Sequence, residues 1–425
     1  MSFSFGVYFV ELRNFFGSSA SLTSWVGSLN TGLLFGAGPI ASALLNKLGA
    51  RRTVIIGGVL ASGGLISGYF AQSTYHIIIS FGLVAGIGFG IAYTPCVIMA
   101  GTYFNRWRYL STAVACSGGG LGVIAFSFIF SNLTEAYGLR GSMLINGGIA
   151  LNLVLCGVLL RPLSTAPAAK IPACDVTLLR DVKLLIFAVS MILWNIGTVT
   201  VFVTVSDYLI ESGIAQDKAY FLLTIIGISN TIGRLLAGFT ALIRHIRYAN
   251  HWVYTVSVAG HAISSMLFST GGTFGVFALY GTLFGFFFGL QLGALANVII
   301  DLFGIKKFNN SYGYLMFAEG IGNVIGAPIA GALRDYTRSY VVSFLCAGSS
   351  SLLSSAILVL LYFCDKRQKP ASTHVDRKQR HSLVEFHHRV EEQYDPRKMS
   401  TLTAETVVAD VSDVQEPGNL AVTLE

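Results

Sequence analysis

The chain has 425 residues, of which 53% are hydrophobic and only 12% are charged, and its formal net charge is +7. A soluble globular domain carries roughly twice that charged fraction, so the composition excludes this class and indicates a polytopic membrane protein. The basic residues cluster in short loops between apolar stretches. The positive charge therefore reports membrane topology and does not indicate nucleic-acid binding.

Eleven apolar stretches are each long enough to cross a bilayer, which takes about 20 residues. In chain order they cover 20–45, 53–73, 76–101, 109–133, 141–161, 184–208, 219–243, 250–270, 273–301, 309–333 and 340–363. The first residues, SFSFGVYFVELRNFF, are typical of the second half of another helix. We expect an all-α, twelve-helix protein with an incomplete first helix and about eleven full spans.

The connections between these stretches alternate in charge. One alternate set holds thirteen Lys and Arg residues, whereas the other holds five. The richer set comprises Lys47, Arg51, Arg52, Arg106, Arg108, Arg161, Lys170, Arg180, Lys183, Arg244, Arg247, Lys306 and Lys307. Because cytoplasmic loops are enriched in Lys and Arg, this set and the C-terminal tail are predicted to lie in the cytoplasm.

The predicted organisation has four parts. They are an N-terminal helical bundle (1–161), a cytoplasmic linker (162–183), a C-terminal helical bundle (184–363) and a disordered cytoplasmic tail (364–425). The linker contains PLSTAPAAKIPA, and the tail is polar with mixed charge. No cysteine has a partner in an outer loop, so no disulfide is expected. No motif for catalysis, a metal or another cofactor is found, and no enzyme activity is predicted.

Two charged residues lie deep inside apolar stretches. Arg234 is in FLLTIIGISNTIGRLLAGF, and Glu319 is in YLMFAEGIGNVIGAPIAG. Charge at bilayer depth costs about 2.5–3.5 kcal/mol on insertion scales, so it usually marks a pathway or a site. The pair indicates a carrier with a charged-substrate or proton pathway.

Six helices, a linker and six helices form the pattern of the major facilitator superfamily. The segment SALLNKLGARR resembles the conserved loop of that superfamily, in which Gly49, Arg51 and Arg52 contribute to conformational gating. Asn46 stands where an Asp is usual. Simple positive-inside anchoring explains the Arg pair equally well.

The chain further resembles the monocarboxylate transporter family along its apolar length. YFNRWRYLSTAVACSGGGLG matches the fifth-helix signature of that family, with Arg106 and Arg108 at the cytoplasmic end as gating candidates. Further matches are TSW, YGLRG, CGVLLRP, AYFLLTIIGISNTIGRLLAG and RDYTRSY. The resemblance implies a plasma-membrane carrier of a small organic solute, embedded in the bilayer, with a single-span chaperone subunit as a candidate partner.

The resemblance also implies roles for individual residues. Arg234 matches the eighth-helix Arg that binds the substrate carboxylate, and its alternative role is a structural ion pair with Glu319. Asn230 stands one turn earlier, where many family members have a proton-carrying Asp, and an amide cannot titrate. Glu319 is the replacement candidate for proton coupling. Tyr8 and Asn30, on the first two helices, are further candidates for binding the substrate.

Other polar residues within the spans are Tyr93, Asn195, Thr198, Gln291, Asn297 and Asn323, for which interhelical hydrogen bonding is the simpler role. The resemblance therefore implies a carrier of a small organic solute, with a monocarboxylate as the expected substrate, that works by alternating access. Two alternatives stay open. One is a proton-independent facilitator of a neutral or zwitterionic solute, and the other is a non-transporting, truncated isoform.

Overall fold

A computed structural model describes residues 2, 5–18, 20–104, 108–161, 175–240, 249–305 and 307–368. Within these ranges the chain is almost entirely helical and contains no β-strand. The helices are α1 (Phe5–Phe16), α2 (Ala20–Gly36), α3 (Gly38–Leu48), α4 (Ala50–Ser67), α5 (Thr74–Ile77), α6 (Gly86–Tyr103), α7 (Arg108–Ala150), α8 (Asn152–Leu159), α9 (Val182–Glu211), α10 (Gln216–Thr240), α11 (Ala249–Leu267), α12 (Phe274–Phe303), α13 (Phe308–Thr337) and α14 (Tyr340–Gln368). A π-helical segment, Ile78–Ala85, joins α5 to α6.

Eight helices in the described ranges are long and apolar enough to cross a membrane, or nine if the bent pair α2 and α3 forms one span. The prediction of about eleven full spans therefore overstates this count. One difference is Leu110–Leu159, whose 50 residues count as one stretch although the non-helical Gly138 separates two helices within it. Another is α11, whose Asn250, His251 and His261 lower its apolar character.

Two breaks in the helices have local causes. Gly138, inside α7, has a φ of 66° and a ψ of 176°, which are not helical angles and which glycine adopts without steric cost. The axes of α2 and α3 differ by 41° across Ala37, and Pro39 lies in the first turn of α3, where its missing N–H is not needed. Gly49, with a φ of 79°, separates α3 from α4.

Three hydrophobic clusters form the core. The first joins both halves of the chain near the basic loops, where Leu45 and Ile98 share a cluster with Phe308. The second contains only residues between Phe5 and Ala150, and the third only residues between Val201 and Ala347. Helices α2 and α3 pack against α13, and α7 packs against α10. The two halves therefore share a core at the basic-loop end and have separate cores toward the other end.

The predicted linker and tail fall largely outside the described residues. Within the linker, residues 175–183 form a short 3-10 helix, Val176–Arg180, followed by the start of α9. Asp175 and Asp181 cap these two helices by accepting hydrogen bonds from backbone N–H groups. Residues 162–174 and 369–425 lie outside the described residues, so the four-part organisation stays a prediction.

Candidate functional site

Five helices bring polar side chains together in the interior of the helical assembly. They are α6 with Tyr93, α7 with Cys116, α9 with Asn195, α10 with Arg234 and α13 with Glu319. The Arg234 side chain is 7% exposed and that of Glu319 is 2% exposed. A buried pair of opposite charges among apolar helices is the feature by which we recognise the site.

Two contacts hold the Arg234 guanidinium in place. Nε donates a hydrogen bond to Oδ1 of Asn230 at 2.9 Å, and Nη1 donates to the backbone carbonyl of Cys116 at 2.5 Å. Asn230 lies one turn before Arg234 on α10, whereas Cys116 belongs to α7 in the other half of the chain. No partner for Nη2 is found among the described residues. One edge of the guanidinium is therefore fixed and the other remains available.

Glycines on α7 allow this close approach to α10. A methyl group on Gly119 would lie 2.7 Å from Nη1 of Arg234, and one on Gly120 would collide with Thr231. By contrast, nothing lies within 4 Å of a methyl group placed on Gly118. The helix interface is thus tight only on the face of α7 that contacts the Arg234 turn.

Glu319 contacts a pair of amide side chains. Asn195 on α9 lies beside the Glu319 carboxylate and interacts with it electrostatically. The Oδ1 atom of Asn195 accepts a hydrogen bond from Nδ2 of Asn323 at 3.1 Å, and the same Nδ2 also donates to the Glu319 backbone carbonyl at 3.0 Å. These contacts place one side of the carboxylate beside α9.

Aromatic hydroxyl groups and a thiol complete the surroundings of the charged pair. Tyr93 forms side-chain hydrogen bonds with Tyr312 and with Cys116. Arg234 and Glu319 both interact electrostatically with Tyr93 and Cys116. Tyr93 was among the polar residues noted in the sequence, whereas Tyr312 and the Cys116 carbonyl were not. Tyr312 lies seven residues before Glu319, so both residues are on one face of α13. This spacing could have indicated Tyr312 as a site residue.

Among the described contacts, no direct ion pair joins Arg234 to Glu319. Instead, α10 and α13 each hold a buried hydrogen-bonding atom without a partner. Such atoms are rare in proteins. Oε2 of Glu319 and Nδ2 of Asn230 are both buried and have no partner among the described residues. The site thus has an unused donor on α10 and an unused acceptor on α13.

The structure does not bring Tyr8 or Asn30 into contact with Arg234. The Tyr8 hydroxyl lies 2.8 Å from Oγ of Ser142 and accepts a hydrogen bond from Nδ2 of Asn146 at 2.8 Å. Asn30 donates a hydrogen bond to the Phe81 carbonyl at 2.7 Å, within the π-helical segment. Both side chains are fully buried within the first half, and their role in substrate binding stays a prediction.

The proposed gating residues belong to two of the basic loops of the sequence. Gly49 separates α3 from α4, and Arg51 and Arg52 are exposed in the first turn of α4. Arg106 lies outside the described residues, and Arg108 begins α7 with a side chain that is not described. The gating role of these residues stays a prediction.

Asn46, in the position usually held by Asp, connects the two halves of the chain. Its Nδ2 donates to Oδ1 of Asn310 at 2.8 Å, and its Oδ1 accepts from Nδ2 of Asn309 at 2.9 Å. A pair of amide hydrogen bonds thus joins α3 to the first turn of α13.

No group of three or more His, Cys, Asp or Glu side chains in the described ranges is placed to hold a metal ion. A polar recess lined by Glu211, Arg334, Arg338 and Tyr340 lies at the other end of the C-terminal half. Arg334 follows Glu319 by fifteen residues along α13, which corresponds to about 22 Å of helical rise. This recess is therefore separate from the Arg234 site.

Comparisons with known proteins agree with this architecture. The family model of the Major Facilitator Superfamily matches residues 1–247 and 245–391. The fold is that of a membrane transporter of that superfamily. The chain is 34% identical to bovine (Bos taurus) monocarboxylate transporter 13 over 366 residues, which are 85% of this chain and 85% of the relative. It is 32% identical to rat (Rattus norvegicus) monocarboxylate transporter 4 over 382 residues, 86% of this chain and 81% of the relative. The chain belongs to the monocarboxylate transporter family of the major facilitator superfamily.

Solved structures show the same fold. The E. coli fucose:proton symporter FucP has a TM-score of 0.63 and 17% identity, with 85% of this chain and 95% of that chain covered. The proton:xylose symporter XylE has a TM-score of 0.64 and 14% identity, with 84% and 91% covered. The protein is accordingly a multi-pass membrane transporter of a small solute, and it is not an enzyme.

Proposed function

We propose that the protein is a secondary transporter that moves a small organic monocarboxylate across the plasma membrane by alternating access, and that Arg234 binds the carboxylate. The observation that carries the proposal is a buried guanidinium fixed by Asn230 and Cys116 but not paired with Glu319. The membership of the chain in the monocarboxylate transporter family supports the same substrate class.

The chemistry of the guanidinium suits this role. Arginine stays charged at any working pH and presents a planar set of N–H donors that matches a carboxylate. Since Nε and Nη1 are already engaged, Nη2 is the group that meets the solute, with the unpartnered Nδ2 of Asn230 as a second donor. A carboxylate that binds here would add charge-assisted hydrogen bonds to the part of the buried guanidinium that the protein leaves unpaired.

The packing of the two halves supports alternating access. The halves share a hydrophobic cluster near the basic loops and have separate clusters toward the opposite end. Arg234 contacts the Cys116 carbonyl across the boundary between the halves. Because the site lies at this boundary, a rocking motion of one half against the other would expose it to either side in turn.

The charge alternation of the loops supports an orientation with the basic loops and the C-terminal tail in the cytoplasm. A single-span chaperone subunit rests on family resemblance alone and stays a prediction.

Glu319 raises the question of proton coupling, because a carboxylate on Arg234 leaves Glu319 without a counter-charge. A proton on Glu319 is one way to restore the balance, and it defines the proton-coupled form of this proposal.

Substitution of Arg234 tests the proposal. Arg234→Lys keeps the charge but loses the planar donor set, so it should reach the membrane and bind carboxylates about 10- to 150-fold more weakly, as expected for loss of a charge-assisted hydrogen bond. The measurement is uptake of a panel of radiolabelled monocarboxylates, with surface biotinylation of the same cells. Arg180→Lys, at an exposed position, is the matched control and should transport normally.

A double variant separates binding from folding. Arg234→Ala alone leaves Glu319 buried without a cation and is expected to lower surface expression. Combining it with Glu319→Gln removes the uncompensated charge and should restore surface expression without restoring transport. Normal carboxylate uptake by this double variant would show that Arg234 is a structural residue and would overturn the proposal.

A further inference from the structure

The polar recess at the end of the C-terminal half lies where three membrane spans terminate. Its lining residues Glu211, Arg334 and Tyr340 are each the last or first residue of one of these spans. The spans are Val182–Glu211, Phe308–Arg334 and Tyr340–Cys364. The recess is therefore at the depth where the acyl chains of a bilayer give way to its headgroups. The loop charges predict that this end of the molecule faces outward.

Two arginines form the basic side of the recess. The Cζ atom of Arg334 lies 5.1 Å from the centre of the Tyr340 ring, and Tyr340 is itself buried. Arg338 has a φ of 51°, the only positive φ of a non-glycine residue in the part of the chain that the structure describes. Its backbone N–H donates to the Arg334 carbonyl at 2.7 Å and ends α13. This left-handed turn, uncommon for a residue with a side chain, lets both arginines line one recess.

Carboxylates form the acidic side of the same recess. Glu211 lines it, and Asp207, one turn earlier on α9, interacts electrostatically with Arg334. No ion pair between Glu211 and either arginine is found among the described residues. Charges of both signs thus face a volume of about 300 Å³ without pairing across it. This arrangement is complementary to a ligand that carries one negative and one positive group.

Apolar side chains next to the recess indicate that the ligand is a lipid. Ile210 precedes Glu211, Tyr336 lies between the two arginines in the chain, and Leu345 follows Tyr340 in the first turns of α14. All three side chains are exposed, and Tyr336 is 92% exposed. Exposed tyrosine at the end of a span is typical of the headgroup level of a membrane. Acyl chains therefore have an apolar surface beside the charged recess, which a soluble anion would not use.

We propose that the recess binds the headgroup of a zwitterionic phospholipid, with the phosphate on Arg334 and Arg338 and the ammonium group on Glu211. Arginine binds phosphate oxygens through a planar set of N–H donors and can stack on an aromatic ring at the same time. Anionic lipids concentrate in the cytoplasmic leaflet, so the headgroup on the outer side is zwitterionic. The bound lipid joins the ends of α9, α13 and α14, and it does not involve Arg234.

Binding of short-chain lipids to the purified, delipidated full chain tests the inference. Dioctanoyl phosphatidylcholine would be compared with dioctanoyl phosphatidylglycerol, which keeps the phosphate but lacks the ammonium group, and with inorganic phosphate, which lacks acyl chains. The measurement is thermal stabilisation of the protein as a function of ligand concentration. Phosphatidylcholine should bind about 3- to 5-fold more tightly than phosphatidylglycerol, the effect of one ion pair at an exposed position. Inorganic phosphate should not stabilise the protein at the same concentrations.

Arg338→Gly separates lipid binding from folding. It removes the guanidinium and also relieves the left-handed conformation, because glycine adopts a positive φ without steric cost. Without lipid, the variant should be at least as stable as the wild type. It should nevertheless bind phosphatidylcholine about 10-fold or more weakly, as expected for loss of a charge-assisted hydrogen bond. Arg13→Gln, at an exposed position outside the recess, is the matched control and should keep the wild-type affinity.

Glu211→Gln tests the site of the ammonium group. It should lower the affinity for phosphatidylcholine to that for phosphatidylglycerol, because the neutral amide removes the ion pair with the ammonium group. The affinity for phosphatidylglycerol should not fall. Tighter binding of phosphatidylglycerol than of phosphatidylcholine by the wild type would assign the recess to an anionic headgroup and overturn the inference.

Two further results would overturn the inference. Equal affinities of Arg338→Gly and the wild type for phosphatidylcholine would show that the lipid binds elsewhere. Stabilisation by inorganic phosphate or by acetate that disappears in Arg338→Gly would assign the recess to a soluble anion. None of these measurements depends on Arg234, whose role is tested by uptake, so failure of this inference is distinguishable from failure of the proposed function.

Discussion

Asn230 supplies the site with a hydrogen bond but with no charge. It keeps the one-turn spacing from Arg234 and accepts a hydrogen bond from Nε at 2.9 Å. An Asp at this position would accept the same bond but would add a negative charge and a titratable group. The amide therefore orients Arg234 without adding a charge beside the guanidinium.

Asn230→Asp should introduce acid-stimulated uptake. The new carboxylate would pair with Arg234 at neutral pH and compete with the solute, and its protonation would free the guanidinium, so uptake should rise as pH falls. The measurement is initial uptake between about pH 6 and pH 8, beside Asn230→Gln, which cannot titrate and should keep a flat profile. A flat profile in the Asp variant would show that position 230 does not control access to Arg234.

At the scale of the helices, the site depends on the close contact of α7 with α10. Gly119 and Gly120 present no side chains to the turn of α10 that holds Thr231 and Arg234. This contact lets Nη1 reach the Cys116 carbonyl, so a backbone group of one half fixes a charged side chain of the other. The composition of α7 thereby controls the position of a residue more than one hundred positions away in the sequence.

Gly119→Ala should displace the guanidinium, because the added methyl group would lie 2.7 Å from Nη1 of Arg234. We expect a loss of apparent affinity of about 10-fold, comparable to one charge-assisted hydrogen bond, with surface expression maintained. Gly118→Ala is the matched control, since nothing lies within 4 Å of its added methyl group and alanine favours helix. Equal uptake by the two variants would contradict the proposed geometry.

At the scale of the whole molecule, the halves are held together at one end. The shared hydrophobic cluster and the contacts of Asn46 with Asn309 and Asn310 lie near the basic loops. Two amide hydrogen bonds contribute about 1–3 kcal/mol together. Interactions of this size can bias a conformational equilibrium and still allow the transporter to open.

Asn46→Ala should favour opening at the basic-loop end by about 5- to 150-fold, the shift that corresponds to about 1–3 kcal/mol. Cys116, which is buried beside Arg234, serves as the reporter in a background where the other cysteines are replaced by serine. The measurement is its rate of maleimide labelling in inside-out vesicles, with Asn152→Ala, at an exposed position, as the control. An unchanged labelling rate would show that the amide pair does not stabilise closure.

The sequence by itself determined the class of the protein, the order of its helices and the identity of its two buried charges. These properties follow from local composition. Charge inside a bilayer is costly and therefore rare, so Arg234 and Glu319 can be identified from the apolar stretches around them. The one-turn spacing of Asn230 and Arg234 was likewise visible, since helical geometry alone brings residues four apart together.

Only the tertiary structure decided which polar residues meet. The Cys116 carbonyl, Tyr312 and Asn195 come from helices far apart in the chain, and periodicity within one helix contains no information about contacts with another. The number of spans was overstated partly because Leu110–Leu159 counts once as a 50-residue stretch, although the non-helical Gly138 separates two helices within it. Helix packing also decides that Arg234 and Glu319 form no direct ion pair. The sequence alone is equally consistent with an ion pair, because it gives only the similar depth of the two opposite charges.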